Sequence, residues 1–261
     1  MSAARLSRRV DSSRIEIFGL RSLPDFKPGD DLARLIVDAL RREKLELRSG
    51  DVLVTAQKII SKAEGRIERL SAVKPSELAR SWARTLDEDP RFIEVVLRES
   101  RRVIRMTERA LIVETRHGFI CANAGVDRSN VRKAGTVTCL PLDPDRSARR
   151  LAESLRKLTK ARVAVIISDT FGRPWRLGLT NVAIGAAGLA VLDDLRGTRD
   201  ASGRKLQGTI LAVADELAAA AGLAMKKSAQ IPAVIIRGFS FARARGDARQ
   251  LIRPASEDMF R

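Results

Sequence analysis

Hydrophobic positions recur along the chain with two periods, one typical of helices and one typical of strands. Helical spacing predicts helices over residues 30–44, 75–86, 91–99, 147–160 and 212–223. Short apolar runs bounded by turn residues predict strands over residues 51–55, 110–114, 118–122, 136–140, 161–167 and 233–237. Because hairpin-like strand pairs alternate with helices that connect strands, we predict an α+β fold in which helices pack on mixed sheets.

The two ends of the chain lack this periodicity. Residues 1–13 are expected to be a disordered basic N-terminus, and residues 241–261 a basic C-terminal tail. With 261 residues and 44% hydrophobic content, the remainder can bury a core large enough for one domain or two intertwined subdomains. No apolar run approaches the roughly 20 residues that span a bilayer, and the first residues lack the apolar centre of a secretory signal, so we expect a cytoplasmic protein without membrane contact.

Polar side chains follow the predicted strand 161–167 in the sequence IISDTFGRPWR. Asp169 and Thr170 are therefore expected at the carboxyl end of an interior strand. A carboxylate beside a hydroxyl suits a hard cation such as Mg²⁺ or Mn²⁺, and Arg173 and Arg176 can clamp a phosphate or a carboxylate. The alternative is a polar loop after a core strand, in which Asp169 caps the next helix.

A second group of oxygen-bearing side chains follows the predicted strand 118–122 in the sequence HGFICANAGVDRSN. Asp127 leaves this strand as Asp169 leaves the other. Two acids at strand ends can share one metal ion bound to a polyphosphate, which neutralises charge on the transferred phosphoryl group. An Asn-Gly-rich turn is the alternative, but a turn needs only one or two such residues, so the excess favours a metal site.

Five sequence blocks carry a resemblance to a known family. In chain order they are CANAGVDRSN, ISDTFGRPWR, VAIGAAG, LRGTRDASGRKL and AVADELAAAAGL. Together they resemble the coenzyme F420-0:L-glutamate ligase family over about residues 15–238, which is far more specific than a lone glycine-rich loop. The resemblance implies a stand-alone ligase domain over residues 14–240, with two intertwined subdomains and without the flavin-binding C-terminal domain of some members. It also implies a homodimer.

The activity that this resemblance implies is the addition of L-glutamate, in γ linkage, to the coenzyme F420 precursor F420-0 during F420 biosynthesis. GTP is the implied co-substrate, an acyl phosphate the implied intermediate, and Mg²⁺ or Mn²⁺ the implied cofactor; a monovalent cation (K⁺) stays open. Two alternatives remain, which are a related acyl-phosphate ligase acting on another carboxylate and a basic nucleic-acid-binding protein.

The resemblance also assigns site residues. The positions that bind the first metal in the family correspond to Asp127 and Asp169, which are expected to act in catalysis through that metal. One of the positions that hold the second metal corresponds to Thr170. Arg173 and Arg176 are our candidates for gripping a substrate carboxylate. The nucleotide-binding residues that we expect are Leu23, Pro24, Asp25, Phe26, Gln57, Lys58, Lys62, Asn130, Lys226 and Lys227.

The chemistry of Lys58 and Lys62 is plausible without the family. Both follow the predicted strand 51–55, and their four-residue spacing lets both ammonium groups face one phosphate chain if the segment turns helically. A solvated basic face is the alternative in a chain this rich in Lys and Arg.

The chain departs from the family pattern at two places. Asn181 stands where the family usually has an aspartate before VAIG. Residues 225–230, MKKSAQ, replace a glycine-containing loop that supplies a contact to the second metal. Lys227 cannot be a ligand while protonated, although its charge can replace that of a cation beside the phosphates. Binding of one metal or of two therefore stays open.

The formal charge of +17 is the basis of the nucleic-acid alternative. Basic residues are scattered along the whole chain, however, and do not form one recognition motif. An aromatic content of 4% without tyrosine argues against a base-stacking platform. We therefore expect a basic surface that attracts small polyanionic substrates and binds no specific nucleic acid.

Overall fold

A computed structural model of the protein describes residues 14–108, 110–128, 135–226 and 229–258. Within these residues the α-helices are α1 (Leu32–Arg42), α2 (Gln57–Ala63), α3 (Glu77–Leu86), α4 (Pro90–Glu99), α5 (Pro144–Thr159) and α6 (Val213–Met225). The strands are β1 (Glu16–Gly19), β2 (Val52–Ala56), β3 (Ile67–Arg69), β4 (Ser100–Thr107), β5 (Ala110–Thr115), β6 (Ile120–Ala122), β7 (Thr136–Thr138), β8 (Ala164–Arg173), β9 (Arg176–Ala187), β10 (Asp193–Asp194), β11 (Ile210–Leu211) and β12 (Ala233–Arg237). The predicted α+β class is confirmed.

Each of the five predicted helices is present, with its ends shifted by a few residues. Polar caps explain where four of them begin, because Asp31, Ser76, Asp89 and Asp143 accept a hydrogen bond from the first turn of α1, α3, α4 and α5. Among the helices of the described ranges, none is both long and apolar enough to cross a membrane.

A five-stranded sheet with the order β1-β12-β2-β8-β9 forms the centre of the fold. The β2–β8 pair is parallel and the other neighbours are antiparallel. Val165 and Ile167 of β8 face a hydrophobic core shared with α1 and α5, whereas Ala164 and Ile166 face a second core under α6. Successive residues of β8 thus point to opposite faces of the sheet, as strand geometry requires.

A smaller lobe lies between α2 and α5 in the sequence. Its three-stranded sheet has the order β4-β5-β6, and α3 and α4 pack on it around a third core that includes Phe92, Ile93, Leu111 and Val113. Strands β3 and β7 pair antiparallel where the chain enters and leaves this lobe. The lobe brings residues 123–127 towards the central sheet, because β6 contacts β8.

The predicted end of the strand at Ile167 is wrong. Strand β8 continues through Asp169 and Thr170 to Arg173, and it is paired with β9 along this length, with Asp169 opposite Val182 and Thr170 opposite Asn181. Pairing with β9 satisfies the main-chain groups of the polar segment, so the strand outlasts its apolar run. A hairpin follows instead of a helix, which removes the alternative that Asp169 caps a helix.

Further elements differ from the predictions, and strands β1, β3, β9, β10 and β11 were not predicted. Strand β4 was not predicted, since its sequence SRRVIRMT is mostly polar and exposed. Strand β6 begins at Ile120, because Gly118 has a positive φ of 96° and belongs to the preceding turn. After residue 241, two 3-10 turns form at Ala248–Leu251 and Ala255–Glu257. The domain boundaries at 14 and 241 stay predictions, and residues 1–13 lie outside the described residues.

The outer edge of β9 is covered by side chains and by the C-terminal segment. The carboxylate of Asp215 accepts the Ala183 N–H at 2.8 Å, and that of Asp145 accepts the Ala186 N–H at 2.8 Å. The next two N–H groups along this edge, of Gly188 and Ala190, donate to carbonyls of residues 245 and 242. This half of the edge is thereby protected from pairing with other chains.

Candidate active site

Three segments that carry predicted site residues meet at one end of the central sheet. Strands β1 and β2 end there and β12 begins there, because Gly19 pairs with Val234 and Ala56 pairs with Ser168. The segment 23–26 follows β1, helix α2 follows β2, and the predicted metal residues of β8 lie just beyond the pairing with β2. The crevice at the carboxyl ends of parallel strands is where ligands commonly bind in such sheets.

Polar side chains of helix α2 are buried at this end of the sheet. Gln57 is 1% exposed and Ser61 is fully buried, and the Ser61 hydroxyl donates to Gln57 Oε1 at 2.7 Å. The amide Nε2 of Gln57 is buried without a hydrogen-bond partner among the described residues. A buried donor without a partner is costly, so this amide group indicates a place where a ligand acceptor is expected.

Both predicted phosphate-binding lysines are held by carboxylates. Lys58 Nζ lies 2.6 Å from Asp127 Oδ2, and these side chains are 22% and 35% exposed. Lys62 Nζ lies 2.9 Å from Asp25 Oδ1, with the lysine side chain only 10% exposed. The segment does form a helix, which was the condition for both lysines to face one ligand. The alternative of a solvated basic face is wrong for these two lysines, because both ammonium groups are engaged in ion pairs and shielded.

The main chain around Asp127 is fixed by an unusual turn. Asn123 and Ala124 have positive φ values of 53° and 54°, and Gly125 follows at 69°. A left-handed conformation costs non-glycine residues of order 1–3 kcal/mol and is concentrated at functional sites. After this turn, Asp127 exchanges two main-chain hydrogen bonds with Thr138, at 3.0 and 2.9 Å. The carboxylate that meets Lys58 is thus presented from a rigid backbone.

Asp169 and Thr170 point to opposite faces of β8. The Thr170 hydroxyl donates to Asn181 Oδ1 at 3.1 Å, and the Asn181 amide in turn donates to Met225 Sδ at 3.5 Å, on the α6 side of the sheet. Asp169 faces the other side, where its charge adds to burial in raising the pKa of Cys121 to about 12. The structure therefore brings Asp169 to the 121–127 turn and separates it from the Thr170 hydroxyl.

The donor set fits a divalent cation that also binds a polyphosphate. Among the described residues, no three His, Cys, Asp or Glu side chains come together as a metal-binding group. Mg²⁺ is usually held by one or two carboxylates together with substrate phosphates and water, and not by a cage of protein ligands. Asp127 lies within the 121–127 turn and Asp169 faces that turn, so the two carboxylates match this smaller set.

Arg173 and Arg176 face each other at the exposed tip of the β8–β9 hairpin. Arg173 lies four residues after Asp169 along β8, a span of about 13 Å at strand rise. Arg173 Nη2 donates to the Leu177 carbonyl at 3.1 Å. Within one chain, the guanidinium groups of Arg173 and Arg176 are therefore not brought to the carboxylates of Asp127 and Asp169.

The remaining predicted nucleotide-binding residues differ in which of their groups are accessible to a ligand. Phe26 is 5% exposed within the first core, so mainly its main-chain groups can contact a ligand, whereas Leu23 packs against that core and is only partly buried. Lys226 and Arg21 line a cleft of about 340 Å³ between β1 and the end of α6. Pro24 is exposed. Asn130 and Lys227 lie outside the described residues.

Two polar residues that support the site were not predicted. Ser61 holds the Gln57 amide, and its position four residues after Gln57 on α2 was the available signal. Asp215 holds the Ala183 N–H at a bulge of β9 beside Ser168, and burial raises its pKa. Nothing in the sequence marks Asp215 for this role, because it resembles an ordinary acid in the first turn of a helix.

Comparisons with known proteins give one family. The model of the family described as F420-0:Gamma-glutamyl ligase matches residues 21–238. The coenzyme F420:L-glutamate ligase of Methanothermobacter thermautotrophicus is 46% identical over 250 residues, which cover 95% of this chain and 99% of that relative. The enzymes of the same name from Methanopyrus kandleri and Methanocaldococcus jannaschii are 48% and 40% identical, and cover 90% and 96% of this chain and 93% and 98% of their own lengths.

Proposed function

Because the chain belongs to the F420-0:gamma-glutamyl ligase family, we propose that it joins L-glutamate in γ linkage to F420-0, using GTP and Mg²⁺ or Mn²⁺, through an acyl phosphate. One observation supports the proposal independently of the family, and this is the buried polar face of α2. There Gln57 is buried, Lys58 pairs with Asp127 and Lys62 pairs with Asp25, all at the ligand-binding end of the sheet.

In this proposal α2 binds the triphosphate. The ammonium groups of Lys58 and Lys62 offset phosphate charge, and the Gln57 amide donates to a phosphate or ribose oxygen. Main-chain groups of residues 23–26 position the nucleoside beside the cleft that Lys226 lines. Asp127 and Asp169 hold the divalent cation, which neutralises negative charge on the transferred phosphoryl group.

The chemistry takes two displacements. First, an oxygen of the terminal F420-0 carboxylate attacks the γ-phosphorus of GTP, and the bond to the β,γ-bridging oxygen breaks, which releases GDP. The glutamate amine then attacks the acyl carbon, loses a proton and expels phosphate, which leaves an amide. The protein aligns the three reactants, and Lys58 and Lys62 stabilise the charge that develops on the phosphates.

We place the second chain of a homodimer on the tip of the β8–β9 hairpin. Trp175, Leu177 and Leu179 are 80%, 99% and 58% exposed there, and a cluster of exposed apolar residues favours a protein interface. Paired in this way, Arg173 and Arg176 of one chain grip a substrate carboxylate in the other. Leu177→Glu should give a monomer by light scattering, whereas Leu158→Glu, at a 44% exposed position on α5, should not. A Leu177→Glu protein that stays dimeric refutes this surface.

The decisive assay incubates the protein with F420-0, GTP, glutamate and Mg²⁺ or Mn²⁺, and follows glutamyl additions by mass spectrometry. Replacing GTP by ATP tests the nucleotide, and a panel of other carboxylates tests the related-ligase alternative. A folded protein that adds no glutamate to F420-0 under these conditions contradicts the proposal.

The intermediate has a separate test. With ¹⁸O in the terminal carboxylate of F420-0, one labelled oxygen should appear in the released phosphate, because the acyl phosphate loses that oxygen with the phosphoryl group. Hydroxylamine should divert the intermediate to a hydroxamate. Unlabelled phosphate would rule out an acyl phosphate while leaving the ligase activity itself in place.

A further inference from the structure

The Lys58–Asp127 ion pair joins two residues that the proposed function assigns to different ligands. Lys58 belongs to the triphosphate and Asp127 to the divalent cation, yet Lys58 Nζ lies 2.6 Å from Asp127 Oδ2. Both side chains are largely shielded, at 22% and 35% exposure. A charge pair in such a place is screened less than one on the open surface.

The pair cannot persist once a metal uses the same carboxylate oxygen. A dication on Asp127 Oδ2 would lie within a few ångströms of the ammonium group, and like charges at that distance repel strongly. Lys58 must then turn away, and in a shielded site it needs a new anionic partner. The phosphate oxygens of a bound nucleotide supply that partner.

We infer, resting on the proposed function, that the ion pair with Lys58 keeps a divalent cation from binding Asp127 until a nucleotide binds. Divalent cation and nucleoside triphosphate then bind tightly only together. We call this effect of Lys58 on Asp127 the lock. The rigid backbone at Asp127 supports this role, because its hydrogen bonds with Thr138 prevent the carboxylate from escaping the lysine by a main-chain shift. Either ligand alone replaces only one half of the ion pair, because the cation binds Asp127 and the phosphates bind Lys58. The two ligands together replace both halves.

Lys62 provides the matched control within the same helix. It is also a shielded lysine in an ion pair, but its partner is Asp25, which is not assigned to the metal. Lys62→Met therefore removes the same charge from the same helix while it leaves the lock intact. A general electrostatic effect on metal binding would appear in both variants, and the lock effect appears only in Lys58→Met.

The experiment measures Mn²⁺ binding by electron paramagnetic resonance, with and without a non-hydrolysable GTP analogue. In the wild type, the analogue should tighten Mn²⁺ binding by at least about fivefold, the lower end of usual coupling between sites. In Lys58→Met, Mn²⁺ alone should bind at least about fivefold tighter, and the coupling should shrink by the same factor. Lys62→Met should weaken binding of the analogue and leave the affinity for Mn²⁺ alone within about twofold of the wild type.

Asp127→Asn separates the possible failures. If Mn²⁺ binding survives in Asp127→Asn, or if the wild type binds no Mn²⁺ even with the nucleotide analogue present, the metal site of the proposed function and the lock both fail. If Asp127→Asn loses Mn²⁺ but Lys58→Met does not tighten it, or if Lys62→Met tightens it equally, the lock alone is wrong. Thermal unfolding of each variant confirms that binding is compared between folded proteins.

Discussion

Asp145 joins three separate segments of the fold, and its replacement tests how the central sheet is held. The residue lies in the first turn of α5 and is 6% exposed. One carboxylate oxygen accepts the N–H of Ala186 in β9 at 2.8 Å and the N–H of Ala248 in the C-terminal segment at 2.9 Å. Asp145→Ala would leave both main-chain donors buried without an acceptor.

The expected loss follows from these two donors. Each buried donor without a partner costs about 1–3 kcal/mol, so Asp145→Ala should lower the free energy of unfolding by roughly 2–6 kcal/mol. That is a large share of the roughly 5–15 kcal/mol that stabilises a typical protein. Asp145→Asn keeps an acceptor oxygen for both N–H groups, so at pH 7 it should lie within about 1 kcal/mol of the wild type or above it.

The two substitutions also differ in their pH dependence. Burial, assisted by repulsion from the Asp247 carboxylate, raises the pKa of Asp145 above its usual range. The folded state therefore binds this proton more tightly than the unfolded chain, whose value is about 3.9. The resulting stability is present below the unfolded pKa and is lost as the pH rises through the folded pKa. Since Asn does not titrate, the advantage of Asp145→Asn over the wild type should grow from pH 4 to pH 7.

Urea unfolding at several pH values checks these expectations, with the transition midpoint and its slope fitted for each protein. The charged groups that line the cleft beside Asp145 are Asp143, Arg149, Arg245, Asp247 and Arg249, and they stay unchanged in both variants. The reasoning is refuted if Asp145→Ala is within 1 kcal/mol of the wild type, or if the Asn variant is destabilised as much as the Ala variant.

The other predictions concern the candidate site, the packing of β9, the thiols and the charge. Asp127→Asn and Asp169→Asn should each abolish most metal-dependent turnover in the mass-spectrometric assay while the protein stays folded, although Asp127→Asn should lower the thermal midpoint because Lys58 loses its ion pair; unchanged activity in either contradicts the metal site. Gly185→Ala should lower the free energy of unfolding by about 1–3 kcal/mol or more, because its Cβ would lie 2.5 Å from the main chain of the first turn of α5, whereas Gly172→Ala, with 3.9 Å of clearance, should be nearly neutral in urea. Burial raises the pKa of both cysteines to about 12, so a thiol reagent at pH 8 should label Cys121 only after unfolding. Nucleic-acid binding should fall steeply between low and physiological salt, whereas binding of GTP with metal should persist; sequence-selective binding that survives the salt, without GTP binding, would favour the nucleic-acid alternative.

Within the described residues, local patterns in the sequence were sufficient for five of the six α-helices and for six of the twelve strands. The helix predicted over residues 30–44 is observed at Leu32–Arg42, and the strand predicted over 233–237 is observed at Ala233–Arg237. The helix was recognised from its amphipathic spacing and its polar cap at Asp31, and the strand from its short apolar run. The sequence also indicated where polar chemistry follows the strands, because acids and amides in groups of this size are uncommon in ordinary turns.

The tertiary structure alone decided how those residues meet. Strand β8 runs past its apolar core because β9 pairs with it, and this extra length directs Asp169 and Thr170 to opposite faces of the sheet. Lys58 and Asp127 form an ion pair although they lie in different lobes of the chain. The sequence determined which side chains were available and which local elements carry them. Their partners depended on strand pairing and packing between distant segments, since the free energy of such contacts exists only after the chain has folded.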